Sequence, residues 1–126
     1  MSEHDEQVAL FDWANLQANR DPALRLLFAV PNGGKRHTVT AMRLRDEGVK
    51  AGVPDILLPV ARGGYHGLAI EMKHGRNKPT PEQAEWLAAL AAEGWQTCVA
   101  YGFEEARQAI QDYLHDDERW LKYYEG

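Results

Sequence analysis

Apolar positions recur at helical spacing at the start of the chain, where Val8, Leu10, Phe11, Ala14 and Leu16 predict an amphipathic helix from Ser2 to about Asn19. Acidic residues fill its first turn, where they suit the helix dipole, and Glu3 and Gln7, four apart, share one face. Arg20-Asp21-Pro22 breaks this helix, and the apolar run Leu26 to Val30 reads as a central strand closed by the turn Pro31-Asn32-Gly33-Gly34. A second helix is expected from Thr38 to Glu47, stopped by Gly48. Two apolar runs follow, Ile56-Leu57-Leu58-Pro59-Val60 and Gly67-Leu68-Ala69-Ile70, with Gly63-Gly64 between them as the turn of a hairpin. Thr80 as N-cap, Pro81 at the first helical position and Gln83 as capping-box partner start a helix that ends at Gly94. Trp95 to Tyr101 then reads as a buried strand, and Phe103 to Leu114 as a last helix with Ala106, Ala109, Ile110, Tyr113 and Leu114 on one face. The order of elements predicts an α/β fold with a mixed sheet of about four strands, one hairpin pair and one strand returning through a helix.

Chemistry concentrates on the hairpin. Asp55 opens the first of its strands, and Glu71-Met72-Lys73 ends the second. Side chains alternate along a strand, so Glu71 and Lys73 point one way and Met72 the other. A hairpin brings Asp55 beside them, which gathers two hard oxygen donors and a cation at one strand end, as a divalent ion requires. A Glu-x-Lys tripeptide by itself is most often a surface ion pair; the Pro54-Asp55 upstream and the Gln-bearing helix start downstream set this one apart. Asn32-Gly33-Gly34-Lys35 is not a P-loop, because the first glycine of that pattern is missing and Arg36 follows the lysine. His4, His37, His66, His74 and His115 are scattered without metal-ligand spacing and read as surface residues; His37 and His74 lie in basic loops and remain as phosphate contacts.

At 126 residues the chain suits one compact domain. No apolar stretch reaches membrane-spanning length, and the acidic start Met1-Ser2-Glu3-His4-Asp5-Glu6 is unlike a signal peptide, so a cytoplasmic location is expected. The one cysteine, Cys98, excludes an internal disulfide and a cysteine-based zinc site, and its apolar neighbours make it a core thiol. A net charge of −5 runs against nucleic-acid binding as a bulk property. Its distribution reverses that reading. Acids gather at both ends, whereas the middle carries Lys35, Arg36, Arg43, Arg45, Lys50, Arg62, Arg76 and Lys78 around Lys73.

Taken in order, Glu3 and Gln7, Asn32-Gly33-Gly34, Lys50-Ala51-Gly52-Val53-Pro54-Asp55, Glu71-Met72-Lys73 and Thr80-Pro81-Glu82-Gln83 give a pattern that resembles the PD-(D/E)xK nucleases. Within them it is similar to the stand-alone VRR-NUC (virus-type replication-repair nuclease) domain of phage and bacteria, over roughly the first hundred residues. The resemblance implies a restriction-endonuclease-like core and a Mg²⁺- or Mn²⁺-dependent DNA endonuclease leaving 5′-phosphate and 3′-hydroxyl ends. It implies Asp55, Glu71 and the Met72 carbonyl as metal ligands, Lys73 as the catalytic lysine, Gln83 close to it, and Glu3 as the N-terminal acidic residue in preference to Glu6. Asn32, Gly33, Lys35, Arg36, His37, Lys50, His74, Arg76 and Lys78 are the expected DNA contacts. Stand-alone relatives resemble resolvases of four-way junctions, which implies branched DNA as partner and a homodimer; the aromatic tail at Trp120, Tyr123 and Tyr124 is the candidate contact. A flap-cutting or nicking nuclease and a non-cleaving module that binds branched DNA are the alternatives.

Overall fold

The computed structural model describes residues 1–31 and 38–125, and within them the side chains of 1–31 and 40–115. Helix α1 (Glu3–Gln17) is capped by Ser2, whose hydroxyl accepts the Asp5 N–H while the Asp5 carboxylate accepts the Ser2 N–H. A 3₁₀ helix (Pro22–Leu26) leads into β1 (Phe28–Ala29), and α2 spans Thr38–Asp46. The hairpin strands are β2 (Ile56–Leu58) and β3 (Leu68–Lys73). Helix α3 (Pro81–Ala92), β4 (Gln96–Tyr101) and α4 (Phe103–Glu125) complete the chain.

The sheet runs β1-β2-β3-β4, with β1-β2 and β2-β3 antiparallel and β3-β4 parallel. It is the mixed four-stranded sheet that the element order predicts. Gly63 and Gly64 both adopt positive φ, 57° and 87°, between the mutually hydrogen-bonded Arg62 and Tyr65, which is the backbone a two-residue hairpin turn demands. Leu68, Ile70 and Met72 turn to one face and are buried with Leu10 and Ala14 of α1, Ile56 and Leu58 of β2, and Ala106, Ile110 and Tyr113 of α4. The Tyr113 hydroxyl donates to the Val60 carbonyl, so this phenol enters the core with its polar end satisfied.

Four expectations change. The Leu26–Val30 run is not a central strand: Pro22 starts a 3₁₀ helix, only Phe28 and Ala29 pair, and they form the edge of the sheet with both residues exposed. Strand β4 is the opposite edge and is half-buried, as is Cys98, whose thiol burial pushes up to about 11, far from the nucleophilic range. The last helix does not stop at Leu114; its backbone turns at His115 (φ −124°, ψ 24°) and continues to Glu125. His115 is a surface residue only in part, since its Nε2 lies 2.8 Å from Asp21 Oδ2. The side chains of Trp120, Tyr123 and Tyr124 fall outside the described residues.

Candidate nuclease centre

Strand register assembles the centre. Ile56 pairs with Ile70, so Asp55 lies opposite Glu71, one step beyond the last β2-β3 pair. There the β2 ladder ends and the Asp55 side chain takes its place: Oδ2 accepts the Met72 N–H at 2.8 Å. A residue's N–H and C=O lie on the same side of a strand, so the Met72 carbonyl turns toward Asp55 as well, while its side chain is buried in the core. Proline at position 54, itself fully buried, fixes the backbone that delivers Asp55.

Glu71 leaves the sheet on the face opposite the core and is 1% exposed. Its Oε2 is 3.7 Å from Lys73 Nζ, and its Oε1 is buried without a hydrogen-bond partner. Burial, then the hydrogen bond and charge of Asp55, push the Glu71 carboxyl up to about 8; Lys73 pulls the other way, and Glu3 adds a smaller upward push. The protein alone therefore keeps a proton on Glu71 at neutral pH. Two acids forced together with one orphan oxygen are arranged for a cation, which would ionise Glu71 and occupy Oε1. Asp55, Glu71 and the Met72 carbonyl are all hard oxygen donors, the set that Mg²⁺ and Mn²⁺ prefer. Among the described residues no cluster of three His, Cys, Asp or Glu side chains could hold a metal ion.

Helix α1 closes one side. Glu3, His4 and Gln7 line a hollow of about 380 Å³ together with Ala29, Val30, Pro31 and Asp55. Glu3 and Gln7 share one helix face, as their spacing predicts, and that face lines the hollow with Asp55. Glu6 has a separate partner: its carboxylate accepts the Phe103 N–H at the start of α4, tying α1 to the far end of the fold. His4, read from the sequence as a surface residue, is exposed and lines this hollow beside Gln7, which is three residues on and on the same helix face.

The other sequence-predicted residues separate into groups. His74, Arg76 and Lys78 are exposed in the loop directly after Lys73, which is held to β4 by the Tyr101 hydroxyl donating to the Asn77 carbonyl at 2.8 Å. Lys50 and Gln83 line a second hollow between α2, the 48–53 loop and the start of α3, and they are not among the residues around Asp55 in the first. Gln83 caps α3 as predicted, its Oε1 accepting the Thr80 N–H at 2.8 Å. Asn32, Gly33, Lys35, Arg36 and His37 lie outside the described residues.

The family model for the VRR-NUC domain matches residues 2–104. A solved structure described as a VRR_NUC domain protein is 34% identical, with a TM-score of 0.77, over 90% of this chain and 88% of that one. No curated protein matches the chain. The match spans α1, both strands that carry Asp55 and Glu71-Met72-Lys73, and the capping helix α3, and it shows that the chain belongs to the VRR-NUC domain family, a family of nuclease-type fold.

Proposed function

We propose that this protein is a Mg²⁺- or Mn²⁺-dependent endonuclease acting on branched DNA. The observation that carries the proposal is the pairing of Asp55 with Glu71, whose buried Oε1 has no hydrogen-bond partner and whose Oε2 lies 3.7 Å from Lys73 Nζ. Asp55, Glu71 and the Met72 carbonyl would hold the ion. Bound there, the ion supplies charge that lowers the pKa of a water and offsets charge building on the scissile phosphate. Lys73, its side chain only 12% exposed and its Nζ 3.7 Å from Glu71 Oε2, would orient or help deprotonate the attacking water and stabilise the phosphorane-like transition state. Water adds to phosphorus and the bond to the 3′-oxygen breaks, which yields a 5′-phosphate and a 3′-hydroxyl. Glu3 and Gln7 position water and substrate from α1, and the exposed His74, Arg76 and Lys78 engage flanking phosphates. Because a four-way junction needs two coordinated cuts and the described residues provide one catalytic set, the active form on such a substrate is a homodimer.

Labelled four-way junction, flap and linear duplex DNA, incubated with Mg²⁺ or with EDTA, test this. Cleavage with Mg²⁺ alone, fastest on a branched substrate, is expected. Salt-dependent binding of branched DNA with no cleavage under any divalent ion would make the protein a nuclease-derived binding module.

A further inference from the structure

We propose that the second hollow is a pocket for one unpaired nucleobase lying beside the scissile phosphate; this rests on the nuclease reading above and adds the feature of branched DNA that the protein selects. The hollow holds about 390 Å³, within the range of pockets that enclose a small ligand. Leu44, Val49 and Val53 supply apolar walls, and Arg45, Lys50 and Gln83 supply donors. Helix α2 contributes Leu44 and Arg45 on one face, yet among the described residues it has no substantial packing against any other helix or strand. Its apolar stripe therefore borders a gap and not a core.

One wall of the gap, the 48–53 loop, is fixed to α3 by built contacts. Gly52 adopts φ +86°, and a Cβ there would come within 2.9 Å of the Glu82 backbone, so only glycine lets the 48–53 loop lie against α3. The Trp86 indole N–H then fastens the loop by donating to the Ala51 carbonyl at 3.1 Å. Gln83 Oε1 is committed to the Thr80 N–H, which leaves the amide NH₂ to donate.

Chemistry and position select the occupant. Apolar walls with donors and two cations suit a flat aromatic body that carries acceptors and an attached negative charge, which describes a nucleobase on its phosphate. An apolar peptide or a lipid tail would leave the cations unmatched. Pro31 lines both hollows, and Val53 is two residues before Asp55, no more than about 7 Å of extended chain. That separation matches about two nucleotides of strand rise at roughly 3.4 Å each, so the pocket would read a base within about two nucleotides of the cut. A paired base is held in its stack, whereas a base at a branch point or bulge is free to enter.

The test uses the whole chain with Ca²⁺ in place of Mg²⁺, and duplexes carrying one unpaired nucleotide, either with its base or abasic. Wild type is expected to bind the base-bearing probe roughly tenfold more tightly than the abasic one, the scale of one net hydrogen bond to a base edge. Val49→Trp, which fills the hollow from a half-exposed position, is expected to erase that difference, and Met42→Trp, at an exposed position on helix α2 that does not line the hollow, to keep it. Equal binding of the two probes by wild type, or a difference that survives in Val49→Trp, would overturn the pocket. Cleavage of DNA in Mg²⁺ by wild type is scored separately: a chain that discriminates the probes but never cuts keeps the pocket and loses the nuclease reading.

Discussion

Met72 and Glu71 are neighbours in sequence and equally hidden from water, yet they face opposite worlds. On the Met72 side of the sheet, Leu10, Ile56, Ile70 and Ile110 interlock with no unsatisfied polar side chain among the described residues. On the Glu71 side lies the one buried side-chain polar atom without a partner among those residues, and helix α3, which covers part of that face, has no fully buried residue. One face is packed for stability and the other is left electrostatically unfinished. A natural fold tolerates such a defect where a ligand completes it.

Substituting the two neighbours separates the faces most sharply. Glu71→Gln keeps shape and removes the ionisable group, so cleavage is expected to fall at least about a hundredfold, the scale of losing one preorganised charge contact, with folding intact. Met72→Ala leaves the backbone carbonyl in place but opens a cavity, costing about 2–5 kcal/mol in denaturant unfolding while the folded fraction still cuts. Cleavage assays beside urea titrations read both. A Met72→Ala chain that is stable but inactive, or a Glu71→Gln chain that cuts normally, would break the contrast.

The raised carboxyl gives the next effect. Because the folded state holds a proton on Glu71 that the unfolded state releases near the ordinary value of 4.5, the metal-free protein loses stability as pH rises from there through about 8. A cation reverses the loss by favouring the ionised form, so Mg²⁺ or Mn²⁺ should raise Tm by several degrees more at pH 8 than at pH 5.5. Glu71→Gln should flatten both trends. An equal metal shift at the two pH values would mean that ions bind elsewhere.

Much of the unfinished face was legible in the sequence because it is built from local signals. Alternation along β3 put Glu71 and Lys73 together, Gly63-Gly64 forced the hairpin, and the register then brought Asp55 opposite Glu71. The 3.6-residue period placed Glu3 and Gln7 on one face. What was hidden depends on contacts distant in sequence. Leu26 to Val30 has the composition of a central strand, but which strands pair on either side decides whether it is one. Glu6 meets Phe103 across almost the whole chain, and no local pattern reveals that partner. Gln83 was expected beside the lysine and also as a cap; the cap is local and was readable, whereas the hollow it borders exists only once α2, the Gly52 loop and α3 meet.

Glu3 and Glu6 give the smallest and finest division of the two faces. Glu3, exposed on the hollow, should lower cleavage about tenfold when changed to Gln, with Tm unchanged, since it acts on the centre from a distance. Glu6→Ala removes a helix cap and should cost about 0.5–2 kcal/mol of stability, with Glu6→Gln restoring most of it. Thermal melts and initial rates on the same preparations distinguish them. A Glu6→Ala chain that melts normally but fails to cut would exchange the roles assigned to these two acids.

The central claim, that Asp55 and Glu71 form an unfinished cation site, is tested most directly by Mn²⁺ titration calorimetry at pH 7 on DNA-free wild type and Glu71→Gln. The account predicts binding by wild type, with a heat that varies with the buffer's ionisation enthalpy because Glu71 releases its proton, and no binding by the variant. Equal Mn²⁺ binding by the two proteins, or a wild-type heat that is the same in every buffer, would contradict it.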